Sequence, residues 1–143
     1  MEIYKIEKDF DVVVVEAKTF PDGIEEAFRK LETILPQNGK RKFFGISYGG
    51  ENGNIVYKAA AEESYPGESQ KYKLHSFTVR NGDYISETIA NWRRDPRLIG
   101  NTFQKMLSEP NIKAGGYCLE MYINETDVVC LVPLEPEAQK LKK

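Results

Sequence analysis

The sequence predicts an α+β fold of two β-α-β-β repeats related by pseudo-twofold symmetry. The hydrophobic patterns give the order strand, helix, strand, strand, and then the same order again. Sliding the two halves together by 74 residues aligns Tyr48 with Tyr122 and Glu51 with Glu125. Two such units that each expose an apolar sheet face bury it best against one another.

The first repeat spans about residues 1–62. Val12 to Val15 is a β-branched run, which is typical of a strand. Ile24, Phe28 and Leu31 recur at the spacing of one helix face, and Pro36 ends this helix. A glycine-rich segment then connects two strands as a hairpin. The expected elements are an extended segment over 3–18, a helix over 24–35 and strands over 43–48 and 55–61.

The second repeat spans about residues 72–134 and follows a polar link over 62–71. Asp95 and Pro96 mark a helix start, because Asp caps free amide groups and Pro fits the first helical position. The charged tail 135–143 is expected to fray. The expected elements are a strand over 72–79, helices over 84–94 and 96–109, and strands over 117–123 and 128–134.

Composition narrows the class of function. The chain of 143 residues suits a single domain, and its 20 basic and 22 acidic residues give a charge of −2. No basic face for nucleic acid is therefore expected. The start lacks the apolar core of a signal peptide, and no stretch approaches membrane-helix length, so we expect a cytoplasmic protein. Two cysteines and one histidine form no zinc spacing, so we expect no metal and no cofactor.

One acid stands out in the strand over 117–123. Alternation places Cys118, Glu120 and Tyr122 on one face, and the other face is apolar or aromatic throughout. The next strand, 128–134, is apolar without alternation, which indicates cover on both faces. We therefore expect Glu120 to be buried. A buried ion costs several kcal/mol unless a partner cation, a proton or a ligand compensates it.

The run Leu119-Glu120-Met121-Tyr122, followed by 128–134 with its final Val-Pro-Leu, resembles the closing hairpin of the GyrI-like family. This family includes the effector-binding domains of some AraC-type and MerR-type regulators. The segment 79–84 is similar to the turn that opens the second repeat's helix there. The resemblance implies an antiparallel sheet with helices on one side and a central cleft. Members bind lipophilic, often cationic, small molecules over a central glutamate with flanking aromatic rings.

The resemblance implies a set of site residues. Glu120 carries over as the central acid, and Tyr122 shares its face. Phe44 and Tyr48 occupy what we take as the matching face of the first repeat, so they are expected to form the opposite wall. Trp92 lies in the predicted second-half helix that would cover the cleft.

Plain packing explains the same residues in another way. Glu120 could pair with a nearby Lys or Arg, since buried acids usually find such partners. Tyr48 and Tyr122 could be core aromatics with satisfied hydroxyls, and Trp92 could be a packing residue. The pair Arg93-Arg94 is interpreted as a solvated charge run.

Three functions remain open at this point. The first is a stand-alone small-molecule-binding domain for lipophilic, cationic aromatic ligands that serves sensing or sequestration. The second is a hydrolase of strained cyclopropanoid or activated electrophiles, as the resemblance implies for some stand-alone members. There Glu120 would activate water, and Tyr122 or Tyr48 would donate a proton. The third is a protein-binding inhibitor or regulator module. No helix-turn-helix segment occurs, so direct nucleic-acid binding is not expected.

Overall fold

The computed structural model describes residues 1–36 and 41–136. In chain order the elements are β1 (Glu2–Ile6), β2 (Phe10–Glu16), α1 (Ile24–Ile34), β3 (Phe43–Gly49), β4 (Ile55–Glu62), α2 (Glu68–Lys71), β5 (His75–Val79), β6 (Gly82–Ile89), α3 (Arg97–Leu107), β7 (Cys118–Tyr122) and β8 (Val128–Pro133). Short 3-10 turns cover Glu51–Gly53 and Trp92–Arg94. The α+β class and the repeated order β-α-β-β are therefore confirmed.

The chain divides into two compact units. The first unit is Phe10–Val79, and the second unit combines Met1–Asp9 with Arg80–Lys143. The exact bounds of the sequence repeats stay a prediction. Most of the tail 135–143, and the turn expected at Asn38-Gly39, lie outside the described residues.

The first unit carries a four-stranded antiparallel sheet in the order β3-β4-β2-β5. Helix α1 packs on one face of it, where the predicted apolar stripe contributes Leu31 and the half-buried Phe28. The strand partners on that face include Val13, Val15, Ala59 and Ala61. The stripe at helical spacing thus buries the face that the sequence predicts.

The second unit carries a four-stranded antiparallel sheet in the order β1-β6-β8-β7. Strand β8 is buried at every residue, as its unbroken apolar run predicts. Helix α3 covers one face through Phe103 and Met106, which pack with Ile85, Ile89, Val128, Cys130 and Val132. Among the helices of the described residues, none combines the length and apolar character needed to cross a bilayer.

One expectation about an individual segment is wrong. Residues 84–94, predicted as a helix, form most of β6 and a 3-10 turn. Ile85 and Ile89 are four residues apart, which fits one helix face and one strand face equally well. The segment forms a strand because Ile85 and Ile89 pair with Val132 and Val128 of β8. The expected extended segment 3–18 is confirmed and is divided into two strands, β1 and β2, and the polar segment 62–71 contains α2.

A buried ion pair fixes α2 in the first unit. Glu68 is completely buried, and its carboxylate accepts bonds from Arg41 Nη1 at 2.7 Å and Nη2 at 3.0 Å. The Ser64 N–H donates to the same carboxylate at 2.8 Å, and Arg41 also donates to the Glu62 carbonyl at 2.9 Å. The Arg41 guanidinium holds the pKa of Glu68 below its ordinary value. These bonds join the turn before α2 to the start of β3.

We expect Glu68→Gln to lower the free energy of unfolding by about 3–5 kcal/mol, because it leaves the Arg41 guanidinium buried without its counter-charge. Glu25→Gln is the matched control, since it breaks the exposed pair between Glu25 and Arg29 and should cost less than about 0.5 kcal/mol. Urea titration measures both. Equal losses in the two variants would contradict the structural role of the Arg41–Glu68 pair.

The same pair predicts a pH dependence. The folded pKa of Glu68 is lowered, so its stabilising contribution is complete above the ordinary glutamate pKa and is lost as the pH falls through the lowered value. The Glu68→Gln variant should lack this part of the acid-induced loss of stability, as measured by urea titrations from neutral to acidic pH.

Candidate functional site

Glu120 lies on the helix-covered face of the second unit. In β7 it is 6% exposed and stands directly opposite Cys130 of β8. Its neighbours on the same face, Cys118 and Tyr122, pack against the core that α3 covers. The predicted burial of Glu120 and the predicted sharing of a face with Tyr122 are both confirmed.

The Tyr122 side chain contacts both the acid and an indole ring. Its hydroxyl donates a hydrogen bond to Oε1 of Glu120. Its ring lies against Trp92, with centroids 5.6 Å apart and planes inclined by 59°. The structure therefore brings together three of the five predicted site residues: an acid, a phenol and an indole.

The acid and the thiol opposite it in β8 are both buried. Burial raises the pKa of the Cys130 thiol, and the negative charge of Glu120 opposite it acts in the same direction. Cys130 is a free thiol. Among the described residues, no group of three or more His, Cys, Asp or Glu is arranged to hold a metal ion. The side chains that the site offers are a carboxylate, a phenol and an indole.

Trp92 is held by a turn rather than by the predicted helix. Asn91 adopts a left-handed conformation at φ 53°, which asparagine tolerates better than most residues, and this ends β6. The Trp92 N–H then donates to the Thr126 carbonyl at 3.0 Å. Within the described part of the chain, the buried indole Nε1 has no hydrogen-bond acceptor. An unpaired buried donor costs about 1–3 kcal/mol.

The β7–β8 turn anchors this tryptophan turn through Asp127. The Asn91 N–H donates to Oδ1 of Asp127 at 3.0 Å. This bond, followed by those from Asn124 and Thr126, lowers the pKa of Asp127. Asp127 is a positioning residue that the sequence analysis missed, because an Asn-Glu-Thr-Asp turn indicates only a hairpin and not what it binds.

Arg93 also differs from its sequence interpretation. Its guanidinium carbon lies 4.6 Å from the centroid of the Trp92 ring, so this charge is stacked rather than simply solvated. Its Nε donates to the Glu125 carbonyl at 3.4 Å.

Phe44 and Tyr48 lie in the first unit, on the face away from α1. Phe43 packs on the α1 core, so alternation turns Phe44 and Tyr48 to the opposite face. Phe44 is 2% exposed and contacts Phe10, with ring centroids 5.5 Å apart. The ring of Tyr48 lies 5.3 Å from the Lys58 ammonium.

The assumption that Phe44 and Tyr48 occupy the face matching that of Glu120 is therefore wrong. Glu120 faces the helix of its own unit, whereas Phe44 and Tyr48 turn away from theirs. A register error of one residue moves every side chain to the other face of a strand. The alignment that pairs Tyr48 with Tyr122 contains such an error. A role for Phe44 and Tyr48 in binding stays a prediction.

Solved structures show the same fold in other proteins. No protein-family model and no curated protein matches the chain. An integron cassette protein from the mobile metagenome of Vibrio cholerae has a TM-score of 0.71 at 17% identity, covering 94% of this chain and 95% of that one. A hydrolase from Listeria innocua has a TM-score of 0.60 at 11% identity, covering 94% and 92%. SAV2435, solved bound to tetraphenylphosphonium, has a TM-score of 0.63 at 9% identity, covering 94% and 93%. At these identities the likeness establishes the fold alone.

We expect Asp127→Ala to release the tryptophan turn, because it removes the acceptor of the Asn91 N–H. Trp92 is the only tryptophan in the sequence, so its fluorescence reports on this turn directly. Quenching by acrylamide should become faster in Asp127→Ala. Asp95→Ala is the matched control, since the Asp95 side chain bonds to Arg97 at the start of α3 rather than to Asn91, Trp92 or Arg93. Unchanged quenching in Asp127→Ala would contradict the anchoring role.

Proposed function

We propose that this chain is a GyrI-like small-molecule-binding domain for lipophilic aromatic cations, with Glu120 as the central acid. The observation that carries the proposal is the buried Glu120 carboxylate, which accepts a hydrogen bond from Tyr122, whose ring in turn lies against that of Trp92. The ligand would lie against the helix-covered face of β7. Such a domain would serve sensing or sequestration of these compounds.

Two physical terms support a cation as the ligand. A carboxylate in surroundings of low polarity is screened less than one in water, so its attraction for a positive charge is stronger. The electron-rich faces of Trp92 and Tyr122 add about 0.5–2 kcal/mol each for a cation placed over them. A ligand whose charge is surrounded by apolar groups also needs little desolvation.

The comparison with SAV2435 supports the same class of ligand. Tetraphenylphosphonium, to which that protein is bound, is a positive charge enclosed by four phenyl rings. A carboxylate among aromatic side chains is complementary to such a compound in charge and in surface. The shared fold makes this cation the first probe to use on the present chain.

Tetraphenylphosphonium should quench or shift the emission of Trp92, and Glu120→Gln should weaken its binding at least about tenfold, because close charge pairs couple by ~1.5 kcal/mol or more. Glu87→Gln is the matched control. Glu87 also stands opposite Cys130, from β6, and its side chain pairs with Lys105 at 3.5 Å. Triphenylphosphine oxide, which is neutral, should bind weakly to every variant.

Either of two results would reject the proposal. If Glu120→Gln and Glu87→Gln bind tetraphenylphosphonium like the unmodified protein, the central acid does not recognise the charge. If the unmodified protein does not respond to any lipophilic cation and the Arg93 variant described below does not either, the ligand class is wrong.

A hydrolase is the second candidate, and the Tyr122–Glu120 hydrogen bond favours it. This bond places a proton donor beside a carboxylate that could activate water, as general acid–base catalysis requires. A solved structure of the same fold is described as a hydrolase. Turnover of a cyclopropanoid electrophile should then fall at least about 100-fold in both Glu120→Gln and Tyr122→Phe. Binding without turnover in the unmodified protein would reject catalysis and leave the binding proposal standing.

A further inference from the structure

We propose that Arg93 is a built-in competitor of the ligand: its guanidinium occupies a face of Trp92 and must leave before a ligand cation can use that face. This inference rests on the proposed function and specifies which cations the site selects. The contact of Arg93 with Trp92 is then autoinhibitory, because a ligand cation must displace the guanidinium before it can bind to that face of the ring.

The first support is the geometry of the stack. The guanidinium carbon of Arg93 lies 4.6 Å from the centroid of the Trp92 ring, which is within the range of a cation–π interaction. The same ring contacts Tyr122, whose hydroxyl bonds to Glu120. A protein cation therefore already lies against the aromatic group that the proposed ligand would contact.

The second support is how loosely the guanidinium is held. The Arg93 residue is exposed, and its side chain donates one long bond of 3.4 Å to the Glu125 carbonyl. Within residues 1–36 and 41–136, no ion pair includes Arg93. Trp92 is different, because its backbone N–H is bonded to Thr126 at 3.0 Å and its turn is anchored by Asp127. The ring can therefore stay in place while the guanidinium leaves.

The consequence is a threshold that depends on the chemistry of the ligand. A small hydrophilic cation would replace one positive charge over the ring by another and would gain little. A cation enclosed by aromatic rings adds apolar contact area with Trp92 and Tyr122, so it gains more than the displaced guanidinium loses. Arg93 would thus favour lipophilic cations over small ones.

The test compares Arg93→Gln with Arg94→Gln, which removes the same charge from the neighbouring exposed residue. Tetraphenylphosphonium should bind Arg93→Gln about fivefold more tightly, or about 1 kcal/mol at 25 °C. Arg94→Gln should change the affinity less than about twofold, as a nearby but screened charge does. The preference for tetraphenylphosphonium over tetramethylammonium should fall in Arg93→Gln alone.

Several results would overturn the inference. An equal gain in the two variants would mean that general charge repulsion is the cause, and unchanged or weaker binding in Arg93→Gln would mean that Arg93 does not compete. In both cases loss of binding in Glu120→Gln would leave the proposed function intact. Binding by Arg93→Gln but not by the unmodified protein supports the competitor role most strongly. No binding by either protein overturns the inference together with the proposed function.

Displacement of the Arg93 guanidinium can also be observed directly, without measuring an affinity. In the free protein, the indole ring current should shift the NMR signals of the Arg93 side-chain protons upfield. Saturation with tetraphenylphosphonium should return them to the position of a solvated arginine, and the Arg94 signals should stay unchanged. Arg93 signals that remain upfield in the saturated protein would contradict displacement.

Discussion

The pairing of β8 with β6 on one side and β7 on the other determines where each candidate residue of the second unit lies. Because β8 is buried along its whole length, its two neighbours have little freedom to change register. Cys130 at its centre pairs with Glu120 on one side and with Glu87 on the other. This row of three residues places two carboxylates on one face of the sheet. The two differ in burial, because Glu120 is 6% exposed, whereas Glu87 is half-buried and pairs with Lys105.

The β7–β8 turn also fixes the position of a segment that is distant in sequence, residues 91–93. Carbonyl and carboxylate oxygens of residues 125–127 accept bonds from three consecutive residues, 91–93. The turn that closes the hairpin of Glu120 therefore also places the ring beside Tyr122. A binding residue in an irregular turn can be as well positioned as one in a helix when its backbone hydrogen bonds are satisfied in this way.

The first unit shows how a polar pair can be structural without being a site. The Arg41–Glu68 pair is as buried as Glu120, and each of the two Glu68 carboxylate oxygens accepts a bond from Arg41, while one also accepts the Ser64 N–H. Burial of a charge thus points to function only together with aromatic neighbours and access. The Glu120 group has the aromatic neighbours, and the experiments with cations address access.

Local pattern in the sequence was enough for part of this protein. The alternation in β7 and the unbroken apolar run of β8 predict that Glu120 is buried and shares a face with Tyr122, because both statements depend only on strand geometry. The α1 stripe is predicted for the same reason. Contacts between distant segments decided the rest. Ile85 and Ile89 fit a helix until β8 pairs with them. Asn91, Trp92 and Arg93 have no local signal for the bonds that they donate to Asp127, Thr126 and Glu125. The faces of Phe44 and Tyr48 depend on strand register, which is set by packing and cannot be read from a weak internal repeat.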